Sequence, residues 1–314
     1  MTMGEKLHGV VPILPMPFTA DGSDIEENDL RRMIDVLIDE GVHGIALLGV
    51  ASEFYKVSDE ERRRAVEIAV EQAAGRVPVV VNVTRHALEL AVEDARHAQA
   101  IGADAVMVVP PFLMSPSAEA IGRHLFAVAE SVDLPIVVQY APEVTGVGIP
   151  ADIFVELANR RAAPVYAKIE SVPPGPLVSA LIEKTDGKLG VFIGNSGRQM
   201  IDALRRGAVG VMPGASMAKI YVDIYEDFRR GEMERALERF ERLLPIINHC
   251  SQTAESLIKY EKILLMRRGV FSSDRCRSPS FEPDGPYLQL FEKFIARLKE
   301  AFGYPNVREG AGSA

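Results

Sequence analysis

Two side chains in this 314-residue sequence have the type and position for carbonyl chemistry. Lys168 lies inside the apolar run Pro164-Val165-Tyr166-Ala167-Lys168-Ile169. A lysine is rarely buried without a partner. Burial disfavours the ammonium, and the neutral amine is the form that attacks a carbonyl to make a Schiff base. Spacing alone also allows a strand-end lysine that snorkels to solvent or pairs with Glu170. Tyr140 ends the preceding run, Pro135-Ile136-Val137-Val138-Gln139-Tyr140. If Ile136 and Val138 face the interior, so does Tyr140, by the two-residue period of a strand. Neighbouring strands lie about 4.8 Å apart, so such a tyrosine and lysine would share one cavity. A phenol beside an imine can carry protons to and from the reacting atoms. The bland reading is an ordinary core tyrosine.

Three turns add possible anion sites. Gly49-Val50-Ala51-Ser52-Glu53 reads as a turn into a helix, where successive N–H groups can hold a carboxylate. Gly194-Asn195-Ser196-Gly197 and Pro213-Gly214-Ala215-Ser216 resemble turns that bind phosphate in barrels, although glycine-rich turns are needed at such places anyway. None of the six histidines falls in a metal-ligand spacing, so no metal site is expected. His86 follows a strand end and reads as a surface histidine at a helix start or a substrate contact.

The elements that position these residues follow from the apolar pattern. Val/Ile-rich runs without alternation recur at Val10–Leu14, Gly44–Leu48, Val77–Val81, Ala105–Val109, Ile136–Tyr140, Val165–Ile169, Leu189–Ile193 and Val209–Met212. That is the pattern of parallel strands covered on both faces. Between them lie helical stripes, such as Leu30, Met33, Ile34, Leu37 and Ile38, and a capping box at Ser58–Glu61. Further helices are expected near 88–101, 117–131, 150–159, 174–186, 196–207 and 217–229. Gly41, Gly102 and Gly207 each precede a strand by two residues and suit a left-handed helix stop. Eight strands alternating with helices predict an α/β chain with a (βα)8 TIM barrel fold. A doubly wound sheet would carry a Gly-x-Gly-x-x-Gly turn after its first strand, where Pro15-Met16-Pro17-Phe18 stands instead. After Arg229 only helices are expected, at 231–249, 251–269 and 285–302. The predicted organisation is a catalytic barrel over 1–229, a C-terminal helical extension over 230–303 and a flexible tail over 304–314.

Composition narrows the class. With 47% hydrophobic and 25% charged residues the chain is an ordinary globular one. A net charge of −9 argues against a phosphate backbone as partner, so no nucleic acid is expected. No apolar stretch approaches the roughly 20 residues of a membrane helix, and no signal peptide is visible; a cytoplasmic protein is expected. Cys250 and Cys276 read as unpaired thiols.

The set Gly49-x-x-x-Glu53, Tyr140 and Lys168 resembles the dihydrodipicolinate synthase / N-acetylneuraminate lyase superfamily, over roughly residues 7 to 302. The resemblance implies a (βα)8 barrel, a Schiff base between Lys168 and a 2-oxo acid, Tyr140 as proton carrier, no cofactor, and a homo-oligomer, tetramer or dimer. It places substrate contacts at Gly49, Val50, Ala51, Phe112, Gly194 and Met212. The sequence also departs from the synthase pattern. Val50 and Ala51 replace two threonines, Phe112 replaces the tyrosine after strand four, and Val144 stands for the arginine that holds the aldehyde's carboxylate.

Other motifs resemble the branch of 2-keto-3-deoxy sugar-acid dehydratases and aldolases, including the L-2-keto-3-deoxyarabonate dehydratase type. They are Lys168-Ile169-Glu170 with Pro173-Pro174, Gly194-Asn195 with Gly197, Met212-Pro213-Gly214, and Lys262 with Arg267-Arg268-Gly269. The resemblance thus implies a Schiff-base lyase, dehydrating or aldol-cleaving a 2-oxo acid. Dihydrodipicolinate synthase is the alternative within the family, and a non-catalytic 2-oxo-acid-binding barrel the alternative outside enzymes.

Overall fold

In the computed structural model, residues 7–303 are described; the expected tail at 304–314 and the first six residues lie outside them. The strands are β1 (Gly9–Val10), β2 (Ile45–Leu47), β3 (Val79–Asn82), β4 (Ala105–Val108), β5 (Ile136–Tyr140), β6 (Val165–Ile169), β7 (Leu189–Ile193) and β8 (Gly210–Val211). The helices are α1 (Glu27–Asp39), α2 (Asp59–Ala73), α3 (Leu88–Ile101), α4 (Ala118–Glu130), α5 (Pro142–Thr145), α6 (Ala151–Arg160), α7 (Gly175–Lys184), α8 (Met200–Arg205), α9 (Ala218–Arg229), α10 (Met233–Cys250), α11 (Ala254–Arg267) and α12 (Gly285–Phe302). The chain is a (βα)8 barrel with C-terminal helices, as its apolar rhythm predicts. No described helix is long and apolar enough to cross a membrane.

The described chain divides into two compact units. The first comprises residues 7–11, 43–47 and 74–212 and contains the whole sheet. Its strands are all parallel and follow chain order from β2 to β8, with β1 beside β8. The seam between β1 and β2 is bridged just ahead of β2, where His43 donates its backbone N–H to the Val10 carbonyl at 2.9 Å. Its Nδ1 accepts the Val10 N–H at 3.1 Å. Gly102 and Gly207 both take positive φ, 98° and 99°, and stop their helices in the left-handed conformation expected of them.

Register decides which residues share a face, because parallel partners point the same way. From β2 to β7 one set is Ile45, Leu47, Val79, Val81, Val106, Val108, Ile136, Val138, Val165, Ala167, Ile169, Leu189, Val191 and Ile193, with Tyr140 at its end. This aliphatic set faces the helices, since the Tyr140 ring meets Phe154 of α6 edge-on at 6.2 Å. The other set holds Asn82, Met107, Val137, Gln139, Tyr166, Lys168, Gly190 and Phe192, and faces the barrel interior. Every strand residue with a hydrogen-bonding amide or ammonium side chain therefore lies on the inner face.

The second unit comprises residues 12–42, 48–73 and 213–303 of the described chain. It contains α1, α2 and α9 to α12. The capping box at its α2 forms as expected: Ser58 N–H donates to Glu61 Oε2 at 2.8 Å and Glu61 N–H to Ser58 Oγ at 3.2 Å. Gly41 ends the α1 segment at φ 84°.

Candidate active site

Lys168 is 3% exposed on the inner face of β6. In register with it are Gln139 on β5 and Phe192 on β7. Two residues earlier on the same face, Tyr166 lies 5.7 Å from Phe192, ring to ring, and closes the apolar floor below the amine. Gly190 leaves room for this floor, because a Cβ there would lie 2.5 Å from Tyr166 Cδ1.

Glu170 gathers the polar groups around the lysine. Its backbone N–H still donates to the Tyr140 carbonyl at 2.9 Å, so the strand alternation carries its side chain to the face of Lys168. Oε1 lies 3.3 Å from Lys168 Nζ and accepts the Asn195 N–H at 3.0 Å. Oε2 accepts the side-chain N–H of Gln139 at 2.6 Å. One carboxylate thus binds β5, β6 and the turn after β7. That turn is tight. Asn195 and Ser196 hold φ of 50° and 54°, left-handed values that cost free energy in residues other than glycine. Gly194 admits the carboxylate: a Cβ there would stand 2.3 Å from Glu170 Oε1. A cavity of about 170 Å³ opens beside these groups, lined by Glu170, Val172, Gly194, Asn195 and Arg198 among others.

The expectation that Tyr140 and Lys168 face one interior is corrected by the register. Tyr140 pairs with Ile169, and its half-buried ring rests against Phe154 of α6. Ile136 and Val138 face the helices too, so the two-residue period carries Tyr140 with them. The side chain set beside Lys168 is Gln139, which sequence reasoning passed over. Its signal was present: a single amide within an otherwise apolar run has to lie on the polar face of the sheet.

The remaining expected contacts are placed as follows. Met212 is buried after β8, its N–H donating to the Ile193 carbonyl at 2.9 Å. Phe112 is half-buried after β4, its ring edge-on to exposed His86 at 4.7 Å. Val144 is 60% exposed in α5. In the second unit, Gly49, Val50 and Ala51 form the expected turn. Its 3-10 bonds run from the N–H groups of Ser52 and Glu53 to the carbonyls of Gly49 and Val50, at 2.9 and 3.1 Å. The N–H groups of Val50 and Ala51 precede these bonds, as at any helix start. Glu53 follows at φ 53° and is fully buried. Its carboxylate meets Lys262 Nζ at 2.5 Å, Lys56 Nζ at 3.1 Å and the Arg277 N–H at 3.2 Å. Burial pulls the Lys262 ammonium below its usual range, and Glu53 opposes that shift.

The two turns read as possible phosphate sites already bind carboxylates of the chain itself. Asn195 N–H is held by Glu170 and, in the second unit, Ser216 N–H is held by Glu261 Oε2 at 2.7 Å. Burial raises the Glu261 carboxyl, and the bonds from Ser216 oppose it. Among the described residues no group of three or more His, Cys, Asp or Glu is arranged to hold a metal ion.

The sequence matches the model of the dihydrodipicolinate synthetase family over residues 6–297. It is 34% identical to the 4-hydroxy-tetrahydrodipicolinate synthase of Methanopyrus kandleri, over 78% of this chain and 81% of that one. It is 30% identical to the L-2-keto-3-deoxyarabonate dehydratase of Azospirillum brasilense, over 86% of this chain and 88% of that one. Among solved structures, the dihydrodipicolinate synthase of Rhodopseudomonas palustris superposes with a TM-score of 0.85 at 26% identity, covering 93% of this chain and 97% of its own. With a family match spanning the barrel and the helices that follow it, this chain is a lyase of the dihydrodipicolinate synthetase family.

Proposed function

We propose that the protein is a Schiff-base lyase acting on a 2-oxo acid through Lys168, as a 2-keto-3-deoxy sugar-acid dehydratase or a pyruvate-releasing aldolase. The observation that carries the reading is the buried Lys168 amine on the inner face of β6, with Glu170 3.3 Å away. Attack needs the free amine, and Glu170 is the acid–base group within reach of its proton. Nζ adds to C2 of the 2-oxo acid, and loss of water gives the iminium, which withdraws electrons from C3. Removal of a C3 proton then gives an enamine. Expulsion of a protonated C4 hydroxyl as water completes a dehydration. In the aldol alternative, a proton leaves the C4 hydroxyl, the C3–C4 bond breaks, and its electron pair forms the enamine of pyruvate while an aldehyde departs. In the aldol case C3 of the enamine then takes a proton to give the imine of pyruvate, and hydrolysis of the imine returns the lysine in both cases.

Glu170 is the first candidate for the proton steps, because it shares the face of Lys168; Tyr140 is the second, on the family resemblance. The amides of Val50 and Ala51 are proposed to receive the substrate carboxylate, with Phe112, Gly194 and Met212 as the remaining contacts. The relative from Azospirillum brasilense favours the dehydratase, and that from Methanopyrus kandleri favours condensation of pyruvate with an aldehyde. Borohydride treatment in the presence of pyruvate or a 2-keto-3-deoxy acid should add the reduced ligand's mass to the peptide carrying Lys168, and none in Lys168→Ala. No adduct with any 2-oxo acid would refute the mechanism. Product analysis of a 2-keto-3-deoxy acid panel, run beside pyruvate with aspartate semialdehyde, separates the two reactions.

A further inference from the structure

We infer that Gln139 makes this site select 2-oxo acids that carry a hydroxyl group, by accepting a hydrogen bond from that hydroxyl through its side-chain oxygen. The inference rests on the Lys168 reading and adds to it a determinant of the substrate class. Gln139 is 1% exposed, in register with Lys168 and on the same inner face. Its amide orientation is fixed by chemistry. Glu170 Oε2 lies 2.6 Å from the amide nitrogen, and a carboxylate can only accept there, so the NH2 end faces Glu170 and Oε1 faces away from it. Among the described residues Oε1 is buried with no hydrogen-bond partner. A buried acceptor left unmade is costly, and native structures keep few of them without a reason.

What would satisfy Oε1 is a donor arriving with the substrate. Pyruvate cannot supply one, since its ketone and carboxylate oxygens only accept. A 2-oxo acid hydroxylated near the reacting ketone can, and so can the sugar acids of the proposed branch. Sites built to bond a substrate hydroxyl reject the analogue that lacks it, because the site's polar group is then left unpaired. A phenol at this position would donate and accept equally well and would carry a proton; an amide does neither acid nor base chemistry at neutral pH. Gln139 is therefore a specificity-determining contact, and proton transfer is left to other groups.

The test uses the purified full chain and two probes that differ by one hydroxyl, 4-hydroxy-2-oxopentanoate and 2-oxopentanoate, with pyruvate as reference. Borohydride-trapped adduct on the Lys168 peptide is measured against ligand concentration in wild type and Gln139→Met. In wild type the hydroxylated probe should half-saturate at about tenfold lower concentration than its deoxy analogue, the worth of one hydrogen bond. In Gln139→Met that preference, read as the ratio of the two half-saturation concentrations, should vanish; the same change removes the hydrogen bond to Glu170 Oε2, so the pyruvate adduct serves only to show that Lys168 still reacts. The retained pyruvate adduct shows that the variant is folded with its lysine reactive. Equal half-saturation of the two probes in wild type, or an undiminished preference in Gln139→Met, overturns the role of Gln139 and leaves the Schiff base standing. Loss of the pyruvate adduct in a variant with wild-type circular dichroism also overturns it, because the residue would then serve imine formation in general. Absence of every adduct in wild type overturns the lysine reading and this inference with it.

Discussion

Gln139 and Lys168 are partners across β5 and β6, and one carboxylate, that of Glu170, touches both. This relationship sets the order of importance for the proton steps. Removing a positioned acid–base group typically costs about 100-fold or more in rate. Glu170→Gln keeps the shape of the side chain and removes its basicity, so kcat should fall by that factor while adduct formation persists at high ligand concentration. Tyr140→Phe keeps the ring against Phe154 and should lower kcat by less than about threefold if the phenol takes no part. Steady-state rates of both variants on the same 2-oxo acid decide between them; a large loss in Tyr140→Phe with a small one in Glu170→Gln would give the proton role back to the phenol.

Gly194→Ala tests the seat of that carboxylate. The new Cβ would collide with Glu170 Oε1 and push the carboxylate off Asn195 N–H and Lys168. Displacement of a catalytic group by about 1 Å can cost on the order of 100-fold. We expect a fall in kcat of that order with a melting temperature close to wild type, because backbone and core are otherwise untouched. A variant with wild-type kcat would mean that Glu170 has no role tied to its position.

Much of this arrangement was legible in the sequence, and the parts that were not have physical causes. Continuous Val/Ile runs disclosed all eight strands, because burial on both faces removes polar residues from them. The same feature hid the facing of β5. Ile136, Val137 and Val138 show no alternation, so the phase assigned to Tyr140 came from assumption, and only the pairing of Gln139 with Lys168 reversed it. The turns at 194–197 and 213–216 do bind anions, as their composition suggests, but the anions are Glu170 and Glu261, which lie 25 and 45 residues away from Asn195 and Ser216. No local pattern announces a partner that distant. The helix after β7 starts at Met200, later than the expected 196, because Asn195, Ser196 and Gly197 are left-handed.

The Glu53–Lys262 pair predicts a stability effect in the second unit. Both side chains are fully buried, and Lys262 also lies 4.3 Å from the centre of the Phe18 ring. Removing one member of a buried pair typically costs about 3 kcal/mol or more, and loss of Lys262 would leave the Glu53 carboxylate with Lys56 as its remaining ammonium partner. Lys262→Met should lower the free energy of unfolding in urea by roughly that amount. The double variant Glu53→Gln/Lys262→Met should lose less than the sum of the singles, since the Glu53 charge no longer faces an apolar replacement and Lys56 keeps its pair with Glu255. Strict additivity in the cycle would show that the two charges do not interact across their short contact.

Acid sensitivity should trace in part to Glu61. A hydrogen bond from Arg277 holds its carboxyl below the usual carboxylate range; burial opposes this, and the Ser58 N–H adds to it. Both side chains are largely buried, 10% and 18% exposed, so solvent screens the pair little. A carboxyl depressed in the folded state binds protons more readily once the chain unfolds. Its stabilisation is therefore complete above its ordinary value of 4.5 and is lost as pH falls through the lower, folded value. Glu61→Gln removes that linkage while keeping an acceptor for Arg277. Urea midpoints from about pH 7 down to about pH 3 should fall less steeply for the variant than for wild type below 4.5, with the gap between them closing as the solution is acidified. Parallel profiles for the two proteins would mean that the Arg277 bond leaves the proton affinity of Glu61 unchanged on folding.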